Sequence, residues 1–87
     1  MKQFLIKEYI NRLTKEDIIK FASTQGISLE KEELEVIYEY IKKHYMTFIY
    51  GNPKTYLEEL KKKVKPFTYN KIIVLYNEFK EKINTFL

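Results

Sequence analysis

Apolar residues recur at helical spacing along most of the chain. In the first segment they stand at Leu5, Ile6, Tyr9, Ile10 and Leu13, and this spacing predicts a helix over 2–12. Thr14 and Asp17 then form the Thr-x-x-acid spacing of a capping box, which predicts a second helix over 15–24. Its apolar positions are Ile18, Ile19, Phe21 and Ala22. Gly26 is expected to end this helix in a left-handed conformation.

A short pattern, Leu-x-Lys-Glu-acid-apolar, occurs twice, at residues 13–18 and 29–34. Each copy places acidic residues just ahead of an apolar face, where the helix dipole favours negative charge. The second copy predicts a third helix over 30–44. Its inward side chains are expected at Leu34, Ile37, Ile41 and Tyr45, with Tyr38 beside them. The apolar and aromatic run at 45–50 is predicted to be a loop whose side chains fill the core.

Two more helices are expected in the second half of the chain. The Asn-Pro pair at 52–53 predicts a helix over 53–63, with Asn as its N-cap and Pro in its first turn. Pro66 is expected to end it, and Thr68 to cap a last helix over 69–85. The inward positions of these two helices are Tyr56, Leu57, Leu60 and Val64, then Ile72, Ile73, Tyr76, Phe79, Ile83 and Phe86.

The fold class follows from these elements. The 87 residues contain only 2 Gly and 2 Pro, so long loops and hairpin turns are not expected. We predict one all-α domain over 1–87, a compact array of about five short helices. A chain of this size buries roughly 65% of its unfolded surface, which is enough for one modest core.

Composition excludes several kinds of chemistry. The chain has no Cys, which excludes disulfides, thiolate metal sites and cysteine nucleophiles and suits a cytoplasmic location. The N-terminal segment has only a three-residue apolar run, so neither a signal peptide nor a membrane span is expected. His44 is the single histidine and is interpreted as a helix-end residue. No metal, cofactor or enzymatic activity is predicted.

The acidic residues and glycines also argue against a catalytic site. The acidic group at Glu30, Glu32, Glu33 and Glu35 is interpreted as a solvated helix start. Two glycines are too few for the known phosphate-binding loops.

Charge is distributed unevenly. Residues 1–43 carry eight basic and eight acidic side chains, whereas residues 44–87 carry eight basic and four acidic ones and hold the whole net charge of +4. Intramolecular complementarity and solubility account for this pattern. The alternative is a nucleic-acid-associated protein that contacts phosphates through Lys61, Lys62, Lys63 and Lys65.

A helix-turn-helix motif is not favoured. Ala22 and Gly26 have the spacing of that motif's turn, but the apolar positions expected on its second helix are Glu32 and Glu35. Because glutamates repel phosphate, the third helix is not expected to read DNA.

Aromatic side chains suggest a further role. Tyr38, Tyr40, Tyr45, Phe48 and Tyr50 occur within thirteen positions. Tyr suits interfaces as well as the edge of a core, so this group is a candidate partner surface. The loop at 45–50 and the last helix would form the partner surface or homodimer seam, with core packing as the alternative. On this basis we predict a non-enzymatic protein–protein interaction module.

The assembled pattern resembles the YqfT-like proteins of Firmicutes, a family of unknown function. The residues that carry the resemblance are Thr14-x-Glu16-Asp17-Ile18-Ile19-x-Phe21-Ala22 and Gly26-Ile27-Ser28-Leu29, followed by a helix, a loop with Asn and Phe, and another helix. The resemblance covers about residues 12–86, with an unusually aromatic loop and a lysine-rich fourth helix end as departures. It implies a small cytoplasmic helical protein and brings no activity or site residues.

Overall fold

Five α-helices account for most of residues 2–86, which a computed structural model describes; the side chains at 2–4, 79 and 82–86 lie outside that description. In chain order they are α1 Lys2–Arg12, α2 Lys15–Thr24, α3 Lys31–Tyr50, α4 Lys54–Lys63 and α5 Pro66–Phe86. No strand occurs among residues 2–86, so the prediction of an all-α fold of about five helices is confirmed.

The chain divides into two compact units. Unit 1 comprises residues 1–45 and unit 2 comprises residues 46–87. The prediction that 1–87 forms one domain and one compact array therefore stays a prediction. Within the described residues no helix combines the length and the apolar character needed to cross a membrane.

Local signals define α2 as predicted. Thr14 and Asp17 exchange two hydrogen bonds: the Asp17 N–H donates to Thr14 Oγ1 at 3.1 Å, and the Thr14 N–H donates to Asp17 Oδ2 at 3.0 Å. At the other end Gly26 has a φ of +75°, the left-handed conformation that Gly adopts without a Cβ clash. Ile27 N–H donates to Ala22 O at 2.9 Å and Gly26 N–H to Ser23 O at 3.0 Å, which is a Schellman motif.

The prediction of a loop at 45–50 is wrong. Residues through Tyr50 belong to α3, although His44, where the helix was expected to end, has a non-helical backbone (φ −124°, ψ 15°). Extending an existing helix requires no new nucleation, so even a segment rich in aromatic and β-branched residues continues it. Phe48, in this last part of α3, packs against Tyr56 and Tyr76 of unit 2.

One glutamate at the start of α3 is not solvated as expected. Glu33 is only 3% exposed, and its Oε1 accepts a hydrogen bond from the backbone N–H of Glu30 at 3.2 Å. Glu30 precedes the helix and Glu33 is its third residue, so the carboxylate satisfies a donor that the helix itself leaves unbonded. The expectation of a fully solvated acidic group is wrong at this position, whereas Glu30, Glu32 and Glu35 are exposed.

Neither proline has the role that the sequence predicted for it. Pro53 occupies the N-cap position of α4, yet the Asn52 Oδ1 still accepts the N–H of Lys54 at 3.1 Å. Pro66 opens α5 instead of ending α4, because Pro at a first helical position loses no hydrogen bond. Thr68 is therefore inside the first turn of α5 and buried, with 2% exposure, and is not its cap.

Only part of each predicted apolar face is buried. In unit 1 the buried apolar side chains are Ile10, Ile18, Ala22, Ile27 and Tyr40; in unit 2 they are Leu60 and Val64. Leu34, Ile37, Ile41, Tyr45, Tyr56, Leu57, Ile72, Ile73 and Tyr76 are half-buried. Leu5, Tyr9, Ile19 and Phe21 are exposed, against the simple reading of helical spacing. Phe79, Ile83 and Phe86 lie outside the described side chains.

Candidate functional site

The aromatic residues proposed as a partner surface differ in how accessible they are. Tyr40 is buried, with 7% exposure, and meets His44 edge to face at 5.6 Å between ring centroids. Tyr38 and Tyr45 are half-buried, as is Phe48, whereas Tyr50 is 37% exposed. Tyr38, Tyr40 and Tyr45 belong to unit 1, whereas Phe48 and Tyr50 belong to unit 2. Their role as a partner surface stays a prediction.

Lysines and a tyrosine tie the helices of unit 1 together. Lys42 Nζ donates to the carbonyl oxygens of Ile10 at 2.6 Å and Asn11 at 2.9 Å, which lie in the last turn of α1. An ammonium is favoured there because the C-terminal carbonyls carry the negative end of the helix dipole. Lys42 and Lys15 also stand over the Tyr38 ring, at 5.5 and 5.4 Å from its centroid. This cluster has a structural role.

Lys15 has a second partner in the same unit. Its Nζ lies 2.6 Å from Glu35 Oε1, which links α2 to α3. Glu39 and Lys43 form another pair at 3.0 Å, one turn apart on α3. Exposed pairs of this kind add little stability, but they neutralise the lysines that form them.

Within the part of the chain that the structure describes, no residues are grouped for metal binding. Among the residues that it describes, no three His, Asp or Glu side chains come together in a way that would hold an ion. His44 is half-buried beside Tyr40 at the backbone irregularity of α3.

Unit 1 exposes an apolar surface that the sequence did not assign. Leu5 and Tyr9 are each 65% exposed and lie one turn apart on α1. With Glu8, Arg12, Leu13 and Asp17 they line a shallow hollow of about 290 Å³. Phe21, 55% exposed, follows Asp17 by one turn on the same side of α2. We call Leu5, Tyr9 and Phe21 the apolar face of unit 1.

Polar residues border this face. Arg12 Nη2 and Glu8 Oε2 lie 3.8 Å apart, one turn from each other on α1. Asp17 is held in the capping box, and hydrogen bonding by the Thr14 backbone N–H lowers the pKa of its carboxyl below the usual 3.8. An apolar centre with a charged rim is the arrangement typical of protein interfaces.

The basic residues expected to contact phosphates are all exposed: Lys61, Lys62, Lys63 and Lys65. Only Lys61 of this set lines the hollow of unit 2. There it lies with Lys54, seven residues earlier on α4, and with Lys80 of α5. The full lining, around about 430 Å³, is Asn52, Pro53, Lys54, Leu57, Glu58, Lys61, Tyr69, Tyr76 and Lys80. We call this the lysine–tyrosine hollow.

Aromatic rings hold two of these lysines. Lys61 Nζ stands 5.9 Å from the centroid of the Tyr69 ring, and Lys80 Nζ stands 5.7 Å from that of Tyr76. Tyr76 is fixed in turn, since its Oη donates to the carbonyl oxygen of Phe48 at 2.7 Å. Phe48 and Tyr76 also meet edge to face at 5.8 Å.

The role of Lys61, Lys62, Lys63 and Lys65 as phosphate contacts stays a prediction, and the structure groups Lys61 with Lys54 and Lys80 instead of with its neighbours in the sequence. Consecutive lysines such as Lys61, Lys62 and Lys63 point in different directions around a helix, so adjacency in the sequence does not bring ammonium groups together. The available signal was the seven-residue spacing of Lys54 and Lys61 on α4, repeated by Tyr69 and Tyr76 on α5. Residues seven apart lie on one face of a helix.

No protein-family model, curated protein or solved structure matches this chain. The resemblance to the YqfT-like proteins therefore stays a prediction.

Proposed function

We propose that this protein is a non-enzymatic interaction module that binds another protein through the apolar face of unit 1. The observation that carries the proposal is the 65% exposure of both Leu5 and Tyr9 on one side of α1. Large apolar side chains grouped on a surface are typical of interaction sites, whereas single ones are ordinary.

The physical reason is the free energy available from covering these side chains. Full burial of a Leu or a large aromatic side chain is worth about 1.5–3 kcal/mol. Leu5, Tyr9 and Phe21 retain more than half of their exposure, so most of that contribution is still available to a partner. Tyr9 adds a hydroxyl that can hydrogen-bond at the rim.

The aromatic residues at 38–50 that the sequence proposed as a partner surface are less exposed than the apolar face of unit 1. Tyr40 is 7% exposed and Tyr50 is 37% exposed, against 65% for Leu5 and Tyr9. We therefore centre the proposed interface on α1 and α2, and we expect variants at Tyr38, Tyr45 or Phe48 to alter packing more than binding.

A matched pair of variants tests the proposal. Leu5→Ser/Tyr9→Ser removes the apolar face of unit 1, and Phe67→Ser/Val74→Ser removes side chains of 60% and 52% exposure from unit 2. Each protein is immobilised and exposed to a lysate of the source organism, and bound proteins are quantified by mass spectrometry. We expect a partner that wild type and the unit 2 variant retain and the unit 1 variant loses. Equal recovery by all three proteins contradicts the proposal.

A second copy of the chain is the other partner to examine. Sedimentation equilibrium over a range of concentrations measures self-association directly. A dimer that Leu5→Ser/Tyr9→Ser dissociates would identify the partner as the protein itself. If the protein stays monomeric at high micromolar concentration, the partner is a different protein and not a second copy of the chain.

We further propose a cytoplasmic location, supported by the absence of Cys from all 87 residues. Fractionation of cells that express the tagged protein tests it, and recovery from the medium or the membrane fraction would contradict it.

A further inference from the structure

The net charge of the chain is concentrated in one structural unit. Unit 1 ends at residue 45 and has balanced charge, whereas residues 46–87 carry eight basic and four acidic side chains. Lysines of unit 1 such as Lys15 and Lys43 are paired with carboxylates. In unit 2, within the described residues, no carboxylate pairs with Lys54, Lys61 or Lys80.

The tyrosines of unit 2 position two of these ammonium groups without neutralising them. A carboxylate partner cancels the charge of a lysine, whereas an aromatic ring attracts the cation through its quadrupole and leaves the net charge in place. Lys61 over Tyr69 and Lys80 over Tyr76 are therefore each placed against a ring that does not neutralise their charge.

The spacing of the charges indicates the shape of the ligand. Lys54 and Lys61 are seven residues apart on α4, which separates their Cα atoms by about 10 Å along the helix. Tyr69 and Tyr76, which accompany Lys61 and Lys80, have the same separation on α5. A strand with several phosphates can contact lysines spread over this length of two helices at the same time, with one phosphate for each ammonium group.

From this arrangement we propose that the lysine–tyrosine hollow binds single-stranded nucleic acid, with phosphates contacting Lys54, Lys61 and Lys80. Proteins that bind single strands without sequence preference track the backbone with a basic groove. In unit 2 the two tyrosines position the lysines of such a groove. The hollow is shallow, which suits a strand that crosses it better than a small molecule enclosed by it. Glu58 also lines the hollow and opposes the ligand.

Fluorescence anisotropy with a labelled oligo(dT) of about 12 nucleotides tests the proposal. Contacts with three phosphates predict a log–log salt slope of about −2, which weakens binding about 20-fold between about 50 and about 200 mM salt. Absence of binding at the lower salt concentration overturns the proposal.

Charge-matched variants locate the site. Lys54→Gln/Lys61→Gln/Lys80→Gln is expected to weaken binding at least about tenfold. The control, Lys7→Gln/Lys20→Gln/Lys31→Gln, removes the same charge from exposed positions of unit 1 and is expected to change binding less than about threefold. Equal losses in the two variants would show a general charge effect and overturn the proposal.

Two pairs of single substitutions test the parts of the proposal that a general charge effect does not explain. Glu58→Gln is expected to tighten binding more than Glu78→Gln, because both are exposed in unit 2 but only Glu58 lines the hollow. Tyr69→Leu is expected to weaken binding although it removes no charge, and Tyr69→Phe, which keeps the ring, is expected to bind as wild type does. Equal effects within either pair contradict the proposed geometry.

The identity of the ligand is tested by competition. Unlabelled oligo(dT) is expected to displace the probe more effectively than poly-glutamate of equal charge, since poly-glutamate offers carboxylates in place of phosphates. Equal displacement by poly-glutamate would identify a site for acidic peptides and overturn the nucleic-acid proposal. These measurements concern unit 2, so their failure is independent of the protein partner proposed for unit 1.

Discussion

The backbone N–H of Glu30 donates a hydrogen bond to the Oε1 atom of Glu33, three residues later, at 3.2 Å. Thr14 and Asp17 have the same relationship, with the Thr14 N–H donating to Asp17 Oδ2 at 3.0 Å. In both cases a carboxylate in the first turn of a helix satisfies the backbone donor of the residue that precedes the helix. The two contacts differ in burial, since Glu33 is 3% exposed and Asp17 is exposed.

Glu33→Ala is expected to lower the free energy of unfolding by about 1–2 kcal/mol, because it leaves a part-buried donor without this acceptor. Glu33→Gln keeps an acceptor oxygen and should cost less. Urea unfolding followed by circular dichroism measures both variants. The exposed neighbour Glu32 provides the control, and Glu32→Ala should change stability by about 0.5 kcal/mol or less. Equal losses at positions 32 and 33 would show that the contact contributes nothing.

Asp17 should make stability depend on pH in the acid range. The hydrogen bond from the Thr14 backbone N–H lowers the pKa of Asp17 in the folded state below its usual 3.8. Its contribution is therefore complete above the unfolded-state pKa and is lost as the pH falls through the folded-state pKa. Asp17→Asn keeps an acceptor oxygen and removes the charge. We expect wild type to be more stable than this variant at pH 7, with a difference that narrows below about pH 4; a difference independent of pH would contradict this.

Substitutions at Gly26 measure the free-energy cost of placing a side chain on left-handed backbone, separately from crowding. A Cβ built on Gly26 would meet no atom within 4 Å, so a substitution there is opposed by its φ of +75° and not by crowding. Gly26→Ala should therefore cost about 1 kcal/mol in thermal or urea unfolding. Gly26→Asn should cost less, since Asn adopts this conformation more readily. If Ala and Asn are equally tolerated, the Schellman motif does not limit stability.

Tyr76 hydrogen-bonds a backbone carbonyl at the C-terminal end of α3. Its hydroxyl donates to the Phe48 carbonyl, which is among the last four carbonyls of a helix ending at Tyr50 and lacks an intrahelical donor. Tyr76→Phe should lower unfolding free energy by about 1 kcal/mol. The ring remains under Lys80, so nucleic-acid binding should persist. Tyr69→Phe, half-buried on the same helix, serves as the control and should be within about 0.5 kcal/mol of wild type.

Helix starts and stops were predictable where the contacts are local. The capping box at Thr14 and the left-handed Gly26 involve partners within five residues, so the sequence contains nearly all the information that they require. The bounds of α1 and α2 agree with the prediction for the same reason. The second copy of the doubled pattern lacks a hydroxyl cap, and the role of Glu33 was missed because a carboxylate in a first turn is usually solvated.

Burial and the grouping of side chains depended on tertiary structure. Helical spacing placed Leu5, Tyr9 and Ile10 on one broad face, but only Ile10 packs inside. The sequence likewise put the end of regular helix near His44, whereas α3 continues to Tyr50, and Phe48 in this continuation packs against Tyr76. A pattern along the chain defines which residues share a face, not which face a neighbouring helix covers.

By itself, the sequence determined the fold class, four of the five helix starts to within one residue, and the concentration of charge in the second half, because each depends on composition or on short-range hydrogen bonds. Tertiary structure alone decided that Lys54, Lys61 and Lys80 share one hollow with two tyrosines, and that Leu5 and Tyr9 stay exposed. Those relationships arise from contacts between residues distant in the chain, and their energies depend on which helices pack together.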